Sequence, residues 1–416
     1  MQDVKTITME WQHRLLRGSR SKEPHAVLAN AITPLRFAPE WEGVLGYDEN
    51  KLRAVLLKPP PWKTKSTVNS ERRSIEDLDE MLTSEWLQNH GILVGKEIVR
   101  QAIQVVARDN SYHPIKNYLN SLEWDGTPRI DTWLGVYFGT TNSKYNSMVG
   151  RKFLLSAVAR IMQPGCKNDY CLMLEGPQGV KKSMSLEILA VDPSWHTDDL
   201  PRLTTKDAKL HLHGFWIVEI GELAAMRGLD SSEIKAFISR QRDDYRPPFG
   251  VHTIEVPRTC VFVGTVNRSE YLNDETGGRR FLPVETEVVN VEDLLEDRDQ
   301  LWAEAMVAYK AGEPWWPDAN NAEVSAEQQR RYMAEPWAEI IENYLRTLEG
   351  STSTTEILER AIKKPVSEWK MADQVQVGKI LCNLGWRKIR PRDGSSRRER
   401  RYVPGPNWQV QTVPVD

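Results

Sequence analysis

Cys171-Leu172-Met173-Leu174 is a short apolar run that passes through Glu175 into Gly176-Pro177-Gln178-Gly179-Val180-Lys181-Lys182-Ser183, after which Ser183 to Leu189 continues at helical spacing. Strand, glycine-bearing loop and helix in that order are what a phosphate-binding loop requires, and the octet follows G-x-x-x-x-G-K-[ST] at every specified position but one. Backbone N–H groups of such a loop and of the helix start cradle phosphates, a lysine (Lys182) reaches the β and γ phosphates, and a hydroxyl (Ser183) holds magnesium. ATP and Mg2+ are therefore the expected cofactors, contacted by Gly176, Pro177, Gln178, Gly179, Val180, Lys181, Lys182 and Ser183. The departure is Lys181, where the template has its second glycine. At positive φ a lysine there costs about 1–2 kcal/mol more than glycine, and its Cβ crowds the phosphates while its charge attracts them.

Working outward, two more apolar runs read as buried strands, Phe215 to Ile220 and Thr259 to Val266. Alternation of strands with helices implies an α/β fold with a mostly parallel sheet covered on both faces. The first run reaches Glu219, a carboxylate at the strand end where a second magnesium ligand belongs, and Glu222 follows as a candidate to polarise the attacking water. The second run ends at Asn267, placed to sense a γ-phosphate or orient water. Beyond it, Asp274-Glu275-Thr276-Gly277-Gly278-Arg279-Arg280-Phe281 is a turn with paired arginines. Arg279 and Arg280 are candidates for a finger reaching a neighbouring subunit's phosphate, because a planar guanidinium neutralises transition-state charge; pairing with local carboxylates is the competing reading. Arg240 to Arg246 followed by Pro247-Pro248-Phe249-Gly250-Val251-His252 carries hairpin punctuation, with Arg246 and His252 candidates to face DNA in a pore.

The 416 residues, 40% of them hydrophobic, allow two or three domains. The boundaries expected are an N-terminal mostly helical region (1–108), an ATPase core (109–315) and a C-terminal domain (316–416). Lys+Arg 55 against Asp+Glu 58 gives a net charge of -3, so local patches rather than overall charge must identify a nucleic-acid partner. Cys166, Cys171, Cys260 and Cys382 lack CxxC spacing, which excludes a sequence-local zinc knuckle and favours reduced thiols. No eighteen-residue apolar run and no leader pattern occur, so no membrane partner is expected and a cytoplasmic location is. Fifteen tryptophans, several before residue 135, read as packing residues. A linker is expected at Pro314 to Asp318. After it, helical spacing at Ser353 to Ala361 and Val375 to Leu384, then a basic hairpin turning at Asp393-Gly394-Ser395-Ser396, predict a winged helix whose Arg397, Arg398, Arg400 and Arg401 contact DNA phosphates. A solvated basic terminus or an assembly element is the alternative there.

Taken together, Trp124-Asp125-Gly126-Thr127-Pro128-Arg129, Leu174-Glu175-Gly176-Pro177-Gln178-Gly179, Glu219-Ile220-Gly221-Glu222 and Thr276-Gly277-Gly278-Arg279-Arg280-Phe281 resemble the virulence-associated E family. Its members are phage and mobile-element replication ATPases related to superfamily 3 helicases of the AAA+ class. The resemblance implies a homo-oligomeric ring, a hexamer, acting on single-stranded or forked DNA with other replication proteins as further partners. Lys181 departs from the family's usual glycine. A second reading follows from that departure, a hydrolysis-deficient P-loop protein serving as a DNA-binding scaffold or inhibitor.

Overall fold

The computed structural model describes residues 10–20, 22–62, 72–201, 205–221, 231–246, 252–267, 280–317, 323–324, 326–327, 337–348, 350–389 and 401–405. The chain divides into two compact units, Met1–Arg331 and Tyr332–Asp416.

The first unit begins with helix α1 (Leu28–Phe37), strands β1 (Leu45–Asp48), β2 (Arg53–Leu56) and β3 (Arg73–Ser74), helices α2 (Asp77–Asn89) and α3 (Lys96–Asp109), and strand β4 (Ser111–Tyr112). The strands form one mixed sheet in the order β3-β2-β1-β4, with β1 antiparallel to β2 and parallel to β4. The three helices supply most of the regular structure of the N-terminal region, and the sheet is an addition to the mostly helical expectation. Two of the strands are two residues long, too short to show alternation, and β1 is buried at both faces, so the periodicity that betrays a strand is absent. The tryptophans do pack: Trp41 meets Trp62 and Trp86 edge-on with ring centroids 5.5 and 5.8 Å apart, over a core including Leu35, Leu45, Leu56 and Val99.

Next come α4 (Pro114–Ser121), α5 (Trp133–Phe138), α6 (Lys144–Met162), β5 (Cys171–Glu175), α7 (Lys182–Leu189), β6 (His196–Thr197), α8 (Lys206–His211), β7 (Ile217–Gly221), α9 (Ser231–Ile238), β8 (Arg242–Tyr245), β9 (Ile254–Pro257), β10 (Val261–Val266), β11 (Phe281–Glu285) and α10 (Val291–Lys310). Five strands make one parallel sheet in the order β11-β5-β10-β7-β6. Alternate side chains feed two cores. Leu172, Leu174, Ile217, Val261 and Val263 pack with residues of α6, α7 and α10, whereas Cys171, Met173, Val218, Ile220 and Phe262 pack with residues of α8 and α9. Burial on both faces is why these strands read as unbroken apolar runs, each fully buried aliphatic side chain contributing about 1.5–3 kcal/mol. The α6 helix starts at Ser143, whose hydroxyl accepts from the Asn146 amide, and most of its residues are buried because the sheet and α10 cover it. Indole N–H groups satisfy backbone carbonyls within the core, Trp216 to Ala157 at 2.9 Å and Trp302 to Leu189 at 3.0 Å.

The β8–β9 pair is an antiparallel hairpin from Arg242↔Pro257 to Tyr245↔Ile254, as the proline and glycine punctuation between them suggested. The segment expected as a linker is instead fastened to the core: Lys152 Nζ donates to the Pro314 carbonyl at 2.6 Å and Trp315 Nε1 to that of Lys167 at 2.9 Å. The boundary between the units accordingly falls later, at 331/332.

The second unit contains α11 (Ala338–Arg346), β12 (Thr352–Ser353), a helical turn from Thr354 that widens into a π-helix at Ile357–Ala361, α12 (Met371–Asn383), β13 (Arg387–Ile389) and β14 (Arg401–Val403). The three strands pair antiparallel in the order β12-β14-β13 around Ile341, Leu345, Leu358, Ile380, Trp386 and Tyr402. Ser353 and Glu356 form a reciprocal capping box. Among the described residues, no helix is long and apolar enough to cross a membrane, and all four cysteines are free thiols.

Candidate nucleotide site

Residues at the C-terminal ends of β5, β10 and β7 build the site. The parallel register puts Val266 beside Glu175, and Val263 beside Glu219. Gly176 begins the loop because nothing larger fits: a Cβ there meets the Thr286 carbonyl oxygen at 2.2 Å. Gly179 turns the loop at φ +88°, a conformation that favours glycine. Lys181 follows at φ 67°, ψ 27°, the left-handed region, just before α7. The lysine that replaces glycine therefore sits where glycine is conformationally favoured, and its Nζ extends to 3.5 Å from Glu292 Oε1 at the start of α10, both side chains being exposed. Helix α7 still starts directly from the loop despite the substitution.

Lys182 is 8% exposed and donates from Nζ to the Gly176 and Pro177 carbonyls, each at 2.8 Å. Burial lowers its pKa, and the nearby Glu219 charge works against that shift. Ser183 Oγ donates to Glu219 Oε1 at 2.8 Å, and Thr265 Oγ1 donates to the same oxygen at 2.6 Å. The other carboxylate oxygen, Oε2, is buried and has no hydrogen bond; His196 Nε2 approaches it at 3.5 Å. Burial pushes the Glu219 pKa up, but the neighbouring His196 and the Thr265 and Ser183 hydroxyl donors outweigh it and hold the carboxyl below the usual range. A buried carboxylate with one free oxygen, beside a hydroxyl at a phosphate loop, suits Mg2+, which takes one or two protein oxygens and completes its shell with phosphate oxygens and water.

Sequence reasoning missed Thr265 and His196. Thr265 carried a faint signal, a hydroxyl within the otherwise apolar Val261–Val266; His196 carried none, because only strand pairing of β6 with β7 brings it to Glu219. Asn267 lies just past β10, between the phosphate-loop strand and the Glu219 strand, and is exposed. Arg280 lies elsewhere. Its carbonyl accepts from the Cys171 amide at 2.8 Å, at the beginning of β5, and its Nε donates to Ser239 Oγ at 2.8 Å. That is the opposite end of the strands from the phosphate loop, about 16 Å away along a five-residue strand. Arg246 and His252 are exposed at the two sides of the β8–β9 turn. Arg401 is held inside the second unit, its guanidinium donating to Ser351 Oγ at 2.8 Å and to both Glu356 oxygens at 3.2 Å. Glu222, Arg279, Arg397, Arg398 and Arg400 lie outside the described residues.

A family model described as the virulence-associated protein E-like domain matches residues 119–334, more than half of the chain and the whole of the site just described. The chain belongs to the virulence-associated protein E-like family. The domain that defines this family is a P-loop, primase-associated helicase domain, which makes the chain a replication-associated P-loop protein of the helicase and ATPase type. No curated protein matches the sequence. Among solved structures, the chain is similar to the apo structure of the NrS-1 C-terminal region (305–718), at 13% identity over 87% of this chain and 96% of that one with a TM-score of 0.46. The A form of the same region is similar at 12% identity, with the same coverage and a TM-score of 0.45.

Proposed function

We propose that this virulence-associated protein E-like chain is a DNA-dependent ATPase that works as a ring, coupling ATP hydrolysis to translocation on or unwinding of DNA. The observation that carries the proposal is the Ser183–Glu219–Thr265 cluster set beside Lys182 at one end of a parallel sheet. In this reading Gly176 to Ser183 wrap the phosphates, Lys182 turns from the loop carbonyls to the β and γ phosphates, and Ser183 and Glu219 hold Mg2+, which supplies charge neutralisation on the phosphoryl oxygens. Thr265 and His196 orient Glu219. Glu222 and Asn267 position the attacking water. Strand β10, inserted between the phosphate-loop strand and the Glu219 strand, supports the AAA+ assignment and carries Asn267 to the reacting end.

The location of Arg280 supports a shared site. An arginine at the far end of the strands does not serve its own phosphates, but a ring neighbour can receive it, and the same reasoning extends to Arg279. Hexameric closure, partnership with other replication proteins and DNA contacts by Arg246, His252, Arg397, Arg398 and Arg400 belong to the same proposal. In the second unit the order helix, strand, helix, helix, strand, strand supports a winged helix, with Arg401 as an internal tie between β14 and the Glu356 turn.

The test is ATP hydrolysis by the purified protein with and without single-stranded DNA, with Lys182→Ala as the control for contaminating activity. Turnover that DNA stimulates and Lys182→Ala abolishes is the expected result. DNA binding without turnover would instead select the second reading, a hydrolysis-deficient scaffold, which the left-handed backbone of Lys181 favours.

A further inference from the structure

A groove of about 1410 Å³ runs between the N-terminal sheet and the β8–β9 hairpin, within the first compact unit. It is larger than the roughly 300–1,000 Å³ of a small-molecule pocket. Its two walls are joined by a buried hydrogen bond from Asn50 Nδ2 to the Gly214 carbonyl at 2.8 Å, and by Lys51 Nζ to Ser194 Oγ at 2.9 Å, so its shape is a property of the folded unit.

Charge is distributed unevenly along it. The three carboxylates of the lining are each answered by a cation: Asp77 by Lys96 at 3.4 Å, Glu97 by Arg100 at 3.5 Å, and Glu255 by Arg242 of the same hairpin. Lys51, Arg53 and Arg108 face the same groove, and none of them forms a salt bridge among the described residues. Burial is the main cause of a lowered Lys51 pKa; the Arg53 charge adds to that shift and the Asp48 and Asp192 charges oppose it. The apolar part of the lining is aromatic. Tyr47 lies beneath the Arg108 guanidinium at 4.4 Å from its ring centroid, and Tyr245 packs beside His213 with ring centroids 4.8 Å apart and planes tilted by 36°, with Phe215 also in the lining.

We infer that this groove is a binding site for single-stranded DNA, with Lys51, Arg53 and Arg108 contacting phosphates and the Arg108–Tyr47 and Tyr245 faces receiving bases. Cations that track a backbone, interleaved with flat π faces, are the chemistry of sequence-tolerant single-strand binding. The inference rests on the DNA-acting reading and deepens it: the groove leads along β9 and Tyr245 to the hairpin that bears Arg246 and His252, so a strand engaged by the hairpin of one subunit has a continuous track across that subunit. An acidic protein segment satisfies the cations but makes no use of the aromatic rings.

Fluorescence anisotropy with labelled oligo-dT, measured over a salt series, tests the assignment. The double variant Arg53→Ala, Arg108→Ala is expected to bind about 10-fold more weakly at low salt, with the log K against log salt slope reduced by about 1.4, as two lost phosphate contacts on a single strand require. Its nucleotide turnover without DNA should be unchanged, since neither residue lies at the phosphate loop. The charge-preserving Arg53→Lys, Arg108→Lys pair should restore the slope. On the unaltered protein, an iodouracil-substituted oligonucleotide should photo-crosslink to peptides containing Tyr47 or Tyr245, a readout that survives any misfolding of the variants. Unchanged affinity and slope in the alanine pair, or crosslinks confined to other peptides, overturn the groove while leaving the motor reading intact. Displacement by poly-glutamate as effective as by unlabelled oligo-dT overturns it in favour of an acidic protein partner. If the unaltered protein binds no oligonucleotide, the DNA-acting reading itself fails.

Discussion

Two carboxylates, Glu219 on β7 and Asp243 on β8, are equally hidden, at 1% and 0% exposure, yet they are solved in opposite ways. Asp243 receives Arg258 Nε at 2.5 Å and Nη2 at 3.1 Å, with Arg240 at 3.3 Å, and Arg258 is itself 3% exposed. Its charge is cancelled within the protein, and both its oxygens are occupied. Glu219 has hydroxyl donors on one oxygen, a histidine at 3.5 Å from the other, and no lysine or arginine salt bridge among the described residues. One carboxylate ties strand β8 to Arg258 just past β9, at the open end of the hairpin. The other keeps an unspent negative charge at the end of a phosphate loop, which is the arrangement expected when a cation is to be bound.

The comparison breaks most visibly on removal of each acid. Asp243→Ala leaves Arg258 buried without a counter-charge and is expected to lower stability by about 3–5 kcal/mol, read by denaturant or thermal unfolding. Glu219→Gln keeps an acceptor for Ser183 and Thr265 while removing the charge. It should leave the unfolding midpoint within experimental scatter, yet reduce Mg2+-dependent turnover by about 100-fold, or about 2.7 kcal/mol. A large loss of stability in Glu219→Gln would erase the distinction. Thr265→Val removes one donor to Glu219 and is expected to lower turnover about tenfold with little change in nucleotide affinity, which steady-state kinetics would separate.

Smaller still is Lys181→Gly. Relief of the left-handed lysine should add about 1 kcal/mol, seen as a rise of about 2–4 °C in melting temperature, and turnover should rise with it if Lys181 crowds the phosphates. Acid provides a further comparison. Asp243 and Glu219 both titrate below the ordinary carboxylate value, burial opposing and their donors overcoming it. Each therefore stabilises fully above the unfolded value of about 4, and that contribution is lost as pH falls through the lower folded value. Stability measured against pH should be flat across the neutral range and fall steeply only below about pH 4.

Much of this arrangement was legible in the residues. The strand-loop-helix around Gly176 to Ser183 was, because phosphate loops impose local backbone demands that only certain residues meet. So were β7 and β10, since strands covered on both faces must be apolar throughout. The hairpin announced itself through Pro247, Pro248 and Gly250. What stayed hidden was non-local. In the N-terminal sheet the apolar run Leu52 to Leu57 reads as a strand and contains β2, but its partners β3 and β4 are two residues long, below the length at which alternation shows. The segment at Pro314 looked like a linker because proline punctuation marks a chain that leaves a helix, whereas its docking depends on Lys152 and Lys167 far upstream.

By itself, then, the sequence determined a buried strand, a glycine-bearing loop and a helix with Lys182 and Ser183 at its start, and a second apolar strand that carries Glu219, because each of these is met within a few consecutive residues. Only the tertiary structure decided that β10 stands between the loop strand and the Glu219 strand, that Thr265 and His196 approach that carboxylate, and that Arg280 lies at the opposite end of the strands. It also decided that Asp243 is neutralised and Glu219 is not. The reason is the same in each case: strand order and the pairing of buried charges are settled by which distant segments share a face, and no local pattern of residues encodes that choice.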